Sequence, residues 1–144
     1  MATAQAEIVI AKLEGFVVSL VRKIVLDMHA NLVRPGSDGG TPVDTGFARA
    51  NWIPRLGEPG SAPVGARPTE PGPSPSGKAL FVDTGAAEAG KAAVATGFKL
   101  GAGDVYVSNH VPYIGHLNNG SSKQAPAGFV QRAITKALVE DINR

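Results

Sequence analysis

The tetrapeptide Val-Asp-Thr-Gly occurs twice in this chain, at Val43-Asp44-Thr45-Gly46 and at Val82-Asp83-Thr84-Gly85. An Asp-Thr-Gly closing an apolar run is the arrangement of aspartic proteases, in which two carboxylates share one proton because both cannot ionise at close range. Ala79-Leu80-Phe81 gives the second copy such a run. Three features oppose that chemistry. The two aspartates are only 39 residues apart, too close for each to occupy a protease lobe of its own. An Ala-rich helical pattern follows Gly85, where a dimeric protease with one copy per chain would need strands. The first copy follows Pro42 in a Gly-rich loop, so no strand leads into it. The competing role is capping, in which Asp and Thr accept backbone N–H bonds at a turn or helix start and Gly supplies an unusual φ. The sequence favours capping.

Other reactive groupings are weaker. His29, His110 and His116 lack the spacing to one another or to carboxylates that a zinc site requires, and read as surface or interface residues. His110 and His116 flank Pro112 and could share one face of an extended segment. Gly97, Gly101 and Gly103 are not followed by Lys-Ser/Thr, so no phosphate-binding loop is present. Trp52, Tyr106, Tyr113 and Phe129 are scattered and not interleaved with basic residues, unlike a stacking platform for single-stranded nucleic acid, and read as packing residues. No cofactor or metal is expected. Cysteine is absent, which removes disulfides and thiolate ligands, and a net charge of +2 gives no argument for nucleic-acid binding.

The elements that must position these residues follow from periodicity. At 144 residues the chain reads as one domain, 1–144, interrupted by an extended loop at 54–77. That loop holds 7 Pro and 5 Gly in 24 positions, a composition that predicts a mobile excursion rather than packed structure. From about Thr3 to Val33, apolar residues recur at steps of three and four from Ile10 to Leu32, predicting a long helix ended by Arg34-Pro35-Gly36. Val18, Val25 and Leu26 widen its stripe enough to imply contact with a neighbouring subunit. Arg22 and Lys23 interrupt its apolar run well short of the ~20 residues a bilayer span needs, and Glu7, Lys12 and Glu14 do not suit a signal peptide. The expectation is a soluble protein without an export signal or membrane partner.

A short helical turn leading into a strand is expected over Phe47–Leu56, and an Ala-rich helix over Ala86–Ala95. Alternation at Asp104–Asn109 predicts a half-buried strand, and a second extended piece at Tyr113–Leu117 is expected to pair with it or with the strand after Trp52. A last helix is expected from about Pro126, placed in its first turn, to Ile142. Its stripe is Phe129, Val130, Ala133, Ile134, Ala137, Leu138 and Ile142, of which Phe129, Val130, Ile134 and Leu138 should lock it onto the sheet. The class is α+β: a long N-terminal and a C-terminal helix packed on a small, mainly antiparallel sheet, with a long Pro/Gly-rich loop.

Two blocks carry a resemblance. Thr41-Pro42-Val43-Asp44-Thr45-Gly46, followed by a short basic segment ending in Trp52, is one; the run from Val107 through Asn109, Pro112-Tyr113, Gly120 and Lys123-Gln124-Ala125-Pro126 to Phe129-Val130 is the other. Together they resemble the neck and tail-completion (head–tail joining) proteins of long-tailed bacteriophages. The loop at 54–77 is longer than that family's pattern. The resemblance implies a non-enzymatic virion protein at the head–tail junction, made in the cytoplasm of the host bacterium. It would form a ring, sixfold like the tail tube, that contacts the head connector and the tail terminator or tail tube. Double-stranded DNA would pass through its channel without sequence-specific recognition. Asp44, Thr45, Arg49, Trp52, Asn109, Tyr113, Lys123, Gln124 and Phe129 become the candidate structural or interface residues. A phage-encoded assembly factor or interaction module absent from the mature virion is the alternative, and an aspartic protease a more distant one.

Overall fold

Thr3 starts the longest element: its Oγ1 accepts from the N–H of Ala6 at 3.3 Å, capping α1 (Ala4–Val33). The computed structural model describes residues 3–143. Arg34 ends α1 in an extended conformation because the ring of Pro35 disfavours a helical residue before it. A 3-10 turn (Gly36–Asp38) leads to α2 (Phe47–Ala50) and directly to β1 (Ile53–Leu56). Then follow α3 (Ala86–Gly97), β2 (Val105–Ser108), α4 (Ile114–Asn118) and α5 (Phe129–Ile142). The expected long helix, helical turn and strand, Ala-rich helix and half-buried strand are all present.

β1 and β2 form a two-stranded antiparallel sheet, with Ile53 opposite Ser108 and Leu56 opposite Val105. β2 thus takes the strand after Trp52 as its partner, and Tyr113–Leu117, expected to supply a strand, pairs with neither. Two strands alone are barely stable in water, so helices must cover them. α3 lies on β1, so close that a Cβ on Gly90 would fall 2.2 Å from the Pro54 carbonyl oxygen; only glycine fits there. Arg22 of α1 donates from Nε (3.1 Å) and Nη2 (2.5 Å) to the carbonyl of Phe98, placing its charge where the dipole of α3 favours a cation.

The apolar core has three connected parts. Val25, Val94 and Phe98 join α1, α3 and the sheet; Leu32, Trp52, Ala125, Phe129 and Ala133 join α1, the sheet and α5; Phe47, Ala48 and Val111 close the far side. α5 packs chiefly along α1 rather than on the sheet. The amide of Asn31 donates to the Ala133 carbonyl at 3.1 Å, and Lys23 Nζ lies 3.1 Å from Oδ1 of the buried Asp141.

Besides the packing of α5 along α1 rather than on the sheet, four expectations need correction. Tyr113–Leu117 is not extended: α4 occupies Ile114–Asn118, and Ile114 and Leu117, three apart, turn to the same core clusters. α5 starts at Phe129, not near Pro126, because Gly128 at φ 84° interrupts the helical path. Within α5, Ile134 and Ile142 are exposed while Asp141 is buried, so the buried stripe is narrower than the apolar one. The excursion also starts later and is less free than its composition implies. Pro54–Leu56 belong to β1, where a residue without an N–H suits an outer edge. The remainder has one bridge, Pro71 with Lys78, and is tied to the domain by hydrogen bonds.

Candidate functional site

The two sequence blocks, far apart in the chain, meet side by side. Gln124 makes a reciprocal pair with the backbone of Val43, 81 residues away: its Oε1 accepts from Val43 N–H and its Nε2 donates to the Val43 carbonyl, each at 2.8 Å. Asn109 donates from Nδ2 to the Ala48 carbonyl at 2.7 Å and accepts the N–H of Val111 at 3.0 Å, so one side chain fixes both blocks. Thr41 is fully buried; its hydroxyl donates to the Leu32 carbonyl (2.7 Å) and accepts the indole N–H of Trp52 (2.8 Å). Trp52 then packs with Phe129 in the core. Buried polar groups are costly unless paired, and each of these is paired.

Both Asp-Thr-Gly turns start helices. Gly46 (φ 90°) precedes α2 and Gly85 (φ 80°) precedes α3, and Thr45 and Thr84 each accept an N–H two residues on at 3.3 Å. The capping expectation therefore describes the threonines and glycines of both turns, but only the second aspartate. Their aspartates diverge. Asp83 accepts the N–H of Gly85 at 2.9 Å, within its own turn. Asp44 accepts the N–H and hydroxyl of Ser76, at 2.9 and 2.6 Å, across 32 residues. Those bonds, with the Ser76 hydroxyl foremost, hold its carboxyl below the ordinary value of 3.8.

The turns come together because the N–H of Phe81 donates to the Thr45 carbonyl at 2.8 Å and the rings of Phe47 and Phe81 meet edge to face at 5.1 Å. Between them is a cavity of about 320 Å³ whose lining includes His29, Thr45, Arg49, Phe81 and Asp83. His29 is buried, not a surface residue; its Nε2–H donates to the Trp52 carbonyl at 3.0 Å. Burial, and next the charge of Lys91, hold its imidazole below the ordinary 6.5. Among the described residues no three His, Cys, Asp or Glu side chains cluster as a metal site would need, and no helix is long and apolar enough to cross a membrane.

Of the candidate residues, Asp44, Thr45, Trp52, Asn109, Tyr113, Gln124 and Phe129 belong to this assembly. Tyr113 lines a small cleft with Val43 and Gln124 and carries Arg67 over its ring at 4.5 Å; burial raises its phenol above the ordinary 10.0. Arg49 borders the cavity without a hydrogen bond or ion pair among the described residues, and Lys123 is exposed and equally unpartnered. Sequence reasoning missed Asn51, which is buried and exchanges hydrogen bonds with Val64 N–H (2.7 Å) and C=O (3.3 Å). It also missed Ser76 and Arg67, partners supplied by the excursion. A hydrogen bond across a loop leaves no periodic trace. None of the protein-family models, curated proteins or solved structures compared with the chain matches it.

Proposed function

We propose that this chain is a structural protein of the phage neck, a ring that joins the head connector to the tail and continues the DNA channel. One observation supports the reading above others: the Thr41–Trp52 and Val107–Val130 blocks, which carry the resemblance, form one hydrogen-bonded layer through Gln124–Val43 and Asn109–Ala48. A resemblance confined to unrelated surface segments would not require such contact. Both Asp-Thr-Gly copies have structural work: the threonines and glycines at helix starts, Asp83 within its own turn, and Asp44 in holding Ser76. The mechanism is geometric. Each subunit docks on the next through a heterologous contact, the route by which one chain closes a ring. The ring offers one face to the head connector and the other to the tail terminator or tube, and sixfold symmetry matches the tail tube that the resemblance implies. Double-stranded DNA crosses without base recognition.

Deleting the gene tests this reading. DNA packaging should proceed, because the defect lies after the portal, while tails are missing, wrongly terminated or unable to join. Normal joining, or empty heads, would contradict it.

A further inference from the structure

The first half of α1 has no cover. Ile8, Val9, Ile10, Leu13 and Phe16 are all about half exposed or more, Leu13 at 59% and Phe16 at 65%. Three consecutive apolar residues in a helix point in three directions, so this arm is apolar around most of its circumference. A free helix of about 14 residues is marginal in water even with favourable residues, and one apolar on all sides is normally enclosed by protein. A contiguous run of large apolar side chains this exposed marks an interaction site rather than an ordinary solvent-facing surface.

The same chain carries a matching recess in its surface. An apolar groove of about 400 Å³ opens between α1, β2 and α5, lined by residues including Val21, Ile24, Met28, Val107 and Val130. Asp104 is its charged lining residue. On the arm, Val9, Lys12, Leu13 and Phe16 fall on one helical face, placing a single cation beside apolar side chains. Arm and groove cannot meet within one molecule, because Leu13 and Ile24 lie on one continuous helix, about 16 Å apart along its axis.

We propose that the arm of one copy seats in the groove of the next, with Leu13 and Phe16 filling it and Lys12 facing Asp104. Donor and acceptor surfaces differ, so the contact is heterologous and propagates from copy to copy, as ring closure requires. The choice of a second copy as occupant rests on the ring reading; the groove and arm themselves do not.

The chain has no cysteine, so single introduced cysteines report without background. Full-length Phe16→Cys and Ile24→Cys proteins would be mixed and mildly oxidised. The proposal expects a cross-link between the two variants, and little in either alone. Lys12→Glu should weaken self-association by about tenfold, with Lys12→Glu/Asp104→Lys restoring it. Both sites are on the surface, and circular dichroism checks that the fold is retained. A dominant product joining two Phe16→Cys chains, showing arm-to-arm pairing, would overturn the proposal. So would a protein that stays monomeric without cross-linking, or one whose association ignores the charge reversal. A cross-link between the Phe16→Cys and Ile24→Cys chains of a protein missing from virions would retain this contact and remove the neck assignment. Arm-to-arm pairing in a genuine neck protein would do the reverse.

Discussion

The two Val-Asp-Thr-Gly turns share four residues and a local geometry, yet they serve the fold differently. Each places a glycine at φ 80–90° ahead of a helix and a threonine oxygen on a nearby N–H. Around Asp83 the arrangement ends there: Val82 is 83% exposed and the carboxylate bonds only its own turn. Around Asp44, neighbours converge from three parts of the chain. Gln124 grips Val43, Ser76 binds Asp44, and Phe81 binds the Thr45 carbonyl. A tetrapeptide thus specifies a turn, while its residue-level role is set by what the rest of the chain delivers to it.

That contrast can be broken most forcefully at the core beneath the first turn. Phe129 is fully buried against Trp52 and Leu32. Phe129→Ala should cost about 3–5 kcal/mol by leaving a cavity, enough to separate the block carrying Gln124 from Val43. Chemical denaturation checks the loss, and a cost under about 1 kcal/mol would mean that the layer does not depend on this core.

The aspartates themselves give the sharper comparison. Asp44→Ala removes two bonds that cross to Ser76, at a cost of about 1 kcal/mol after allowing for their partial exposure. It should also speed proteolysis near Ser74–Lys78. Asp83→Ala removes one local bond and should stay within about 0.5 kcal/mol, with proteolysis of that segment unchanged. Equal effects on stability and digestion would show that the two turns are not used differently. Pepstatin-sensitive peptide cleavage lost in Asp83→Asn would restore the catalytic reading.

His29, beside both turns, gives a subtler test through pH. Its depressed value means that the unfolded chain takes up a proton near 6.5 while the folded chain resists. Stability contributed by the neutral ring is complete above 6.5 and declines as pH falls through that value towards the lower folded one. Asp44 adds its loss only below its ordinary 3.8, as acid overcomes the hold of Ser76. His29→Gln, which can still donate to the Trp52 carbonyl, should flatten the slope below 6.5 and leave the deeper acid loss in place. An unchanged slope would assign the upper step to another group.

What was legible in the sequence was whatever repeats. The apolar steps of three and four in α1, the alanines of α3 and the alternation of β2 each express one face of one element, so short-range reasoning recovers them. α4 was misread because Pro112-Tyr113 suggests an extended strand, while the informative spacing, Ile114 to Leu117, has only one repeat. The start of α5 was misplaced because Pro126 is acceptable in a first turn, yet Gly128 takes a left-handed conformation after it. The excursion read as unpacked since its anchors are isolated polar bonds: Asn51 to Val64, Asp44 to Ser76, and Arg55, Ser108 and His110 to the Pro59 carbonyl. Asp44, Asn109 and Gln124 were legible as candidates through the resemblance, but not the partners that explain them.

The most direct measurement of the central claim is a reconstruction of the neck from purified virions, with this chain identified by a tag. The account predicts low copy number and density at the head–tail junction, in a sixfold ring whose subunits present the Thr41–Trp52 and Val107–Val130 layer as one continuous wall. Finding the chain along the whole tail tube, at the distal tip, or not in the particle at all would contradict it.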